Sequence, residues 1–389
     1  MKKHYKFIAG IMAVSLVFGV GVIPESIAPV VSITANAEQE YTKGTYGELI
    51  YYNYGDHIVI ADCDESATEV VIPPEIDGVP VTSIGSSAFY KCESLTSIDI
   101  PDSVTSIRDF AFYDCNNLKS IKIPYNLTDI GVNAFFGTQW LKEKQAENPL
   151  VIINDTVVDG RNCTGKVVIP DSVTYIVTSA FGYCYGLTSV KLPSSITKIN
   201  DSTFMYCHKL KSIEIPDGVT SIGRAAFFEC IGLETVKLPD SLTSIEELAF
   251  SDCRSLMSIE IPSGVTNLNV SQFNSDNKKS MKVTILNPAC KISNPCEDVG
   301  VICGYENSTA QAYAEEYGYE FESLGKAPEK TGDMNGDGDF NVSDVVTFQK
   351  YILGTSDEEL SDWKQADLNY DGLLDSFDLV MMRKKLIEK

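Results

Sequence analysis

The sequence predicts a repeat solenoid rich in short β-strands, followed by a small all-α module of paired loop-helix motifs. Three observations point there. One apolar pattern recurs every 23 residues, the recurring unit is too short to enclose a core of its own, and two matching acidic loops, 34 residues apart, close the chain. At 389 residues, with 44% hydrophobic and 22% charged residues, the composition suits a folded chain of two or three domains. Lys+Arg 31 against Asp+Glu 54 gives a formal charge of -23, a field that repels nucleic acid and anionic lipid and so excludes nucleic-acid binding as a function class.

Taken in order, Lys2, Lys3 and Lys6 precede an uncharged apolar stretch from Phe7 to Pro24, and Ala35-Asn36-Ala37 offers the small residues of a signal-peptidase site. The expectation is a signal peptide over 1–37 and a secreted, extracellular product with no membrane span after cleavage. Residues 38–69 are expected to form an N-terminal cap on the repeats.

From there Ile84, Ile107, Ile130, Ile176, Ile199, Ile222, Ile245 and Leu268 fall 23 residues apart, with one gap of 46. One unit reads IGSSAFYKCESLTSIDIPDSVTSI and another IGRAAFFECIGLETVKLPDSLTSI, each with Ala-Phe, Cys, Leu and an alternating Ile-x-Ile-Pro run or its equivalent. The alternation at Leu95, Ile98 and Ile100 predicts a short half-buried strand ended by Pro101, which cannot donate the next ladder hydrogen bond. Val104 to Ile107 forms a second short run. Stability must then come from stacking identical Phe, Leu, Ile and Cys positions. The outward strand positions Asp99, Lys122, Lys191, Glu214, Lys237 and Glu260 form no single-sign stripe. Tyr90, Tyr113, Tyr183 and Tyr206 suit either packing or an exposed ridge.

Eleven cysteines in an exported chain suggest disulfides, yet Cys92, Cys115, Cys184, Cys207, Cys230 and Cys253 recur at one slot of the repeat. Rungs about 4.8 Å apart hold such side chains parallel, so they are expected as buried small hydrophobes. Cys290, Cys296 and Cys303 lie outside that ladder, and a pairing among them stays open.

These units resemble the BspA-type leucine-rich repeat, over residues 70–324. Ala67 to Phe89 looks like the family's opening units and Gly304 to Phe321 like its terminal cap, with a helix at 309–317. The double-length gap looks like the family's elongated unit, its short helix packed over the stack through Trp140, Leu141 and Leu150. The resemblance implies a leucine-rich repeat fold with an adhesive or protein-binding surface.

A small, polar linker, 325–332, leads to DMNGDGDFNVSD at 333–344 and DLNYDGLLDSFD at 367–378, both fitting DxNxDGxx[ND]xxD. Ca²⁺ takes six to eight oxygens, and a twelve-residue loop supplies them from positions 1, 3, 5, 7, 9 and 12, with Gly at 6 for the turn. The first loop therefore offers Asp333, Asn335, Asp337, the carbonyl of Asp339, Asn341 through water, and Asp344. The second offers Asp367, Asn369, Asp371, the carbonyl of Leu373, Asp375 through water, and Asp378. Two Ca²⁺ ions are expected. Each loop runs straight into one amphipathic helix, with Val345, Phe348 and Ile352 on one face of the first and Leu379, Met382 and Leu386 on the equivalent face of the second.

This duplicated loop-helix unit, placed at 333–389, resembles a type I dockerin. The resemblance implies calcium-dependent docking to a cohesin domain of a scaffoldin, on a cellulosome at the cell surface or free. It also implies partner contacts at Val342, Ser343, Gln349 and Lys350 in the first copy and at Ser376, Phe377, Arg383 and Lys384 in the second. Many dockerin-bearing proteins are enzymes, so a polysaccharide-degrading or carbohydrate-binding subunit is the alternative to a noncatalytic repeat protein. The balance leans away from an enzyme: with His4 in the signal, only His57 and His208 remain, neither in a catalytic motif, and His208 is expected on the surface.

Overall fold

Each 23-residue unit closes one coil whose three sides all hydrogen-bond to the next coil. The computed structural model describes residues 41–274, 281–328, 332–334, 339–355 and 365–388. The signal peptide and the first-loop residues Asn335 and Asp337 lie outside the described residues.

On the first side, the strand Ser97–Asp99 pairs in parallel with Ser120–Lys122, setting Ile98 opposite Ile121 and Asp99 opposite Lys122. Ser212–Glu214 and Thr235–Lys237 repeat that register. The strands are shorter than the alternation predicted, because Leu95 and Ile100 are buried but flank the ladder rather than join it. On the second side Ser106–Ile107 lies between Val79–Ile84 and Asp129–Ile130, again in parallel.

The third side has no strand, yet its amides are bonded in alternation. The amides of Ser87, Phe89 and Lys91 donate to the carbonyls of Asp109, Ala111 and Tyr113 in the next coil at 3.0, 2.8 and 2.8 Å. Those of Ala88, Tyr90 and Cys92 donate within their own turn, to Gly85, Ser87 and Phe89. The alternation needs a left-handed backbone at two residues per coil: Ser87 and Lys91, both at φ +59, then Phe110 and Asp114, Ala225 and Glu229, Leu248 and Asp252. L-residues pay for that conformation through crowding of Cβ, so the bonds between coils must offset strain at each turn.

Inside, identical positions stack. The phenylalanine ring centroids stand 5.0 Å apart for Phe89–Phe112, 5.2 Å for Phe181–Phe204, 5.4 Å for Phe204–Phe227 and 5.3 Å for Phe227–Phe250. Such pairs add about 0.5–1.5 kcal/mol each beyond the area they bury. All eleven cysteines are free and buried. Ladder thiols answer carbonyls of the preceding coil: Cys115 Sγ donates to Phe89 O at 2.8 Å, Cys230 Sγ to Phe204 O at 3.0 Å and Cys253 Sγ to Phe227 O at 3.1 Å.

The elongated unit interrupts the aromatic stack. Helix α1 (Gln139–Glu147) is capped by Thr138, whose hydroxyl accepts from Leu141 N at 3.0 Å, and it buries Trp140 and Leu141 over the coils as expected. The Trp140 ring sits 5.1 Å from Phe135. No phenylalanine fills the next slot before Phe181, and Gly160 closes on that ring so tightly that a Cβ would overlap it. Asp159, fully buried, ties the insertion down: its carboxylate accepts from Gln145 Nε2 at 2.8 Å, from Arg161 N at 3.1 Å and from Arg161 Nε at 2.6 Å. Arg161 in turn lies 4.3 Å over the Phe136 ring.

Both ends are capped. Strands β1 (Thr42–Tyr46), β2 (Leu49–Asn53) and β3 (Ile58–Cys63) form an antiparallel meander, and β3 joins Val79–Ile84 in parallel. At the other end α2 (Thr309–Tyr317) runs from its cap Ser308 to Gly318 at φ +76, and the strand Glu320–Ser323 completes the last sheet. No helix among the described residues is long and apolar enough to cross a membrane.

The C-terminal module has its own small core. Helices α3 (Val342–Ile352) and α4 (Ser376–Ile387) enclose Met334, Phe340, Val345, Phe348, Ala366 and Met382, with Leu379 and Leu386 packed beside them. Ile352 departs from its expected inward face and is exposed, because the last turn of α3 overruns so short a core. His208 also departs from expectation. It is half-buried, its ring 5.0 Å from Tyr185 and its Nε2 enclosed without a partner, because stacking of equivalent slots draws it under neighbouring rings.

Candidate metal centre and docking face

Where both acidic loops are described they share one arrangement at the helix start, because the same residues serve loop and helix. Asn341 and Asp375, at position 9, are the N-caps of α3 and α4, accepting from Ser343 N at 2.8 Å and Phe377 N at 2.7 Å. Asp344 and Asp378, at position 12, are the third residues of those helices and complete a capping box. Asp344 accepts from Met334 N at 2.9 Å and Asn341 N at 2.8 Å, while Asp378 accepts from Leu368 N at 2.9 Å and Asp375 N at 3.2 Å. Both carboxylates are fully buried. The capping role was readable in the [ND]xxD spacing but was not drawn from it.

The second loop is described throughout. Asp367 accepts from Asp371 N at 3.1 Å and Gly372 N at 3.3 Å, and Asp371 from Leu373 N at 2.9 Å and Asn369 Nδ2 at 2.7 Å. Ligand oxygens of Asp367, Asp371 and Asp378 all lie within 4.8 Å of one another. Burial holds the Asp378 carboxyl above its ordinary range, with neighbouring Asp367 adding to the effect against backbone donors that lower it. A hard divalent cation fits this set: every donor is oxygen, and its charge would stabilise the ionised carboxylates that burial disfavours. Asn369, the Leu373 carbonyl and Asp375 through water are the other expected ligands there, and Asp375 also caps α4 through Oδ1. In the first loop Asp333 is half-buried, Asp339 exposed and its carbonyl bonded to Asn341 Nδ2 at 3.2 Å.

The residues expected to meet a partner are all exposed. Val342 is 61% and Phe377 70% exposed. Arg383 Nη2 donates to Gln349 Oε1 at 3.1 Å, so equivalent positions of the two copies meet. Sequence reasoning missed Val346, Val380 and Met381, which are also exposed and, at spacings of three and four residues, extend the apolar faces begun by Val342 and Phe377.

On the repeats, charges on neighbouring rungs pair with each other. Lys122 Nζ lies 2.9 Å from Asp99, Lys211 Nζ 2.6 Å from Glu234, and Lys237 pairs with Glu214. The tyrosine positions form ridges. Tyr90 stacks on Tyr113 at 5.5 Å and Tyr113 on Phe136 at 5.2 Å, while Lys91 covers Tyr90 at 5.3 Å and Arg161 covers Phe136 at 4.3 Å. Tyr183 stacks on Tyr206 at 4.7 Å.

A family model described as BspA type leucine rich repeat region matches residues 82–211 and 197–294 in six copies, and one described as dockerin type I domain matches residues 331–387. Among solved structures, a leucine-rich repeat protein from Bacteroides ovatus is 24% identical, covering 75% of this chain and 78% of that one, with a TM-score of 0.39. A leucine rich cell surface protein from Faecalibacterium prausnitzii is 25% identical over 73% of this chain and 95% of that one, TM-score 0.36. The T. pallidum leucine rich repeat protein is 22% identical over 72% and 95%, TM-score 0.27. No curated protein matches the chain.

Proposed function

Because this chain belongs to the BspA-type leucine-rich repeat family and carries a type I dockerin domain, we propose that it is a secreted, noncatalytic subunit fixed by its dockerin to the cohesin domain of a scaffoldin, its repeats displaying a protein-binding surface. Two Ca²⁺ ions, one per loop, would order the module, and the assembly would be an extracellular cellulosome. The observation that carries the reading is the junction of loop and helix: each acidic loop caps a helix that exposes apolar side chains among polar ones, with Val342 and Val346 on one and Phe377, Val380 and Met381 on the other. Burying such a face against a partner is favourable, and the metal-dependent cap sets where the face points.

For the repeats, a protein ligand is favoured over a polysaccharide. Sugars stack on open ring faces, whereas the faces of Tyr90, Tyr113 and Phe136 are taken by one another and by Lys91 and Arg161. A shallow groove of about 890 Å³ on the strand face, lined by Asp171, Ser189, Lys191, Ser212, Glu214 and Asp217, offers polar groups of both signs. Titrating the full chain against a panel of recombinant cohesins tests the anchor. Tight binding should disappear in chelator and weaken at least about thirtyfold in the Val342→Asp, Phe377→Asp double variant. Binding that survives chelation would end the dockerin reading, and sugar released from plant polysaccharides would end the noncatalytic one.

A further inference from the structure

The second acidic loop is not free in solvent: it is seated on the last coils of the solenoid. Asn287, fully buried in the turn after the strand Met281–Ile285, is a three-way clasp. Its Oδ1 accepts from Ala289 N at 2.9 Å, and its Nδ2 donates to Val265 O in the preceding coil at 3.2 Å and to Tyr370 O, at loop position 4, at 3.1 Å. Two positions on, Gly372 at φ +80 faces the same coil, where a Cβ would lie 3.4 Å from Thr266 Cγ2 and 3.8 Å from Gly264 O. The Tyr370 hydroxyl donates to Pro328 O at 2.8 Å, fastening the loop to the segment that leaves the final strand. The fastened residues interleave with Asn369 and Asp371, the middle ligands of the loop.

We propose that the end of the solenoid forms the second wall of this loop, so that the repeats preorganise one of the two cation sites and hold the dockerin at a fixed orientation. The inference rests on the dockerin reading for what the loop binds, but the clasp itself does not. Ordering the loop before the ion arrives removes part of the entropic cost of binding, and by linkage the ion must stabilise the coil end by the same factor. The partner face stays open in this arrangement, since Val342 and Phe377 remain 61% and 70% exposed. Holding the module in place and docking a cohesin are therefore compatible.

Hydrogen exchange of the full chain, read by mass spectrometry with Ca²⁺ and with chelator, tests this. Calcium should protect residues 365–373 and, with them, residues 264–289 of the repeats. Thr266→Arg drives a wedge into the seam from the solenoid side while every loop residue keeps its identity. It should abolish the response of the coil end and weaken one of the two calcium sites about tenfold by chelator competition, leaving the other unchanged. Asn287→Ala should do the same, and Thr266→Arg keeps the test valid if Asn287→Ala unfolds the last coil. Calcium protection of the loops with none at 264–289, or Thr266→Arg with both affinities intact, overturns the clasp while sparing the dockerin reading. Loops indifferent to calcium overturn both.

Discussion

A buried thiol costs little while protonated and much once ionised. Desolvation pushes Cys115, Cys163, Cys184 and Cys290 up to about 12 from an ordinary value of 9.0, and burial raises Tyr313 in the same sense. Since the folded values lie above the unfolded ones, the stabilisation is complete below about pH 9 and is lost as pH climbs toward about 12. Melting temperatures should hold steady to about pH 8.5 and then fall, and iodoacetamide should label the ladder only after unfolding. A melting temperature unchanged through about pH 11 would refute this. A second residue sits badly. Gln272 occupies the slot held by Ala88, Ala111, Ala180, Ala226 and Ala249 in other coils, and neither end of its buried carboxamide has a partner. Gln272→Met keeps the volume and removes the unsatisfied groups, so the urea midpoint should rise by an amount equivalent to about 1–2 kcal/mol.

Glycine announces the third side of the coil at one left-handed slot, Gly137 at φ +85, while the other coils place L-residues there. Left-handed turns at Phe110, Ala225 and Leu248 arise because bonds between coils on that side demand them, and only the whole stack makes that demand. Ala225→Gly relieves a φ of +54 and is expected to raise stability by about 0.5–1 kcal/mol, while Ala226→Gly next door, fully buried and outside the left-handed set, should lower it. Equal effects at the two sites in urea melts would count against the strain. This is also where the sequence was silent. Stacked Phe, Ile, Leu and Cys positions were legible because burial imposes the same apolar choice in every unit, and the acidic loops because ligand chemistry leaves few residue types. The turns, the half-buried His208 and the clasp at Asn287 depend on neighbours that become adjacent only after folding. Ile352 was misplaced for a related reason, since periodicity marks a helix face but not where a core runs out.

Across the whole molecule each coil touches its neighbours alone, so a defect acts where the stack is already interrupted. The elongated unit is that place: the aromatic column passes from Phe135 to Trp140 and resumes at Phe181, against which Gly160 packs. Asp159→Ala strands Arg161 and frees Gln145, and should cost about 3–5 kcal/mol and split a single unfolding transition into two. One cooperative transition at unchanged midpoint would show that the insertion is no weak joint. The even register of the coils carries a consequence for reach. If the seam at Asn287 fixes the anchor, anything borne on the far cap stands a whole number of rungs away, about 4.8 Å each. Gain or loss of one 23-residue unit would then shift that cargo by one rung, so the chain behaves as a ruler whose length is set in discrete steps.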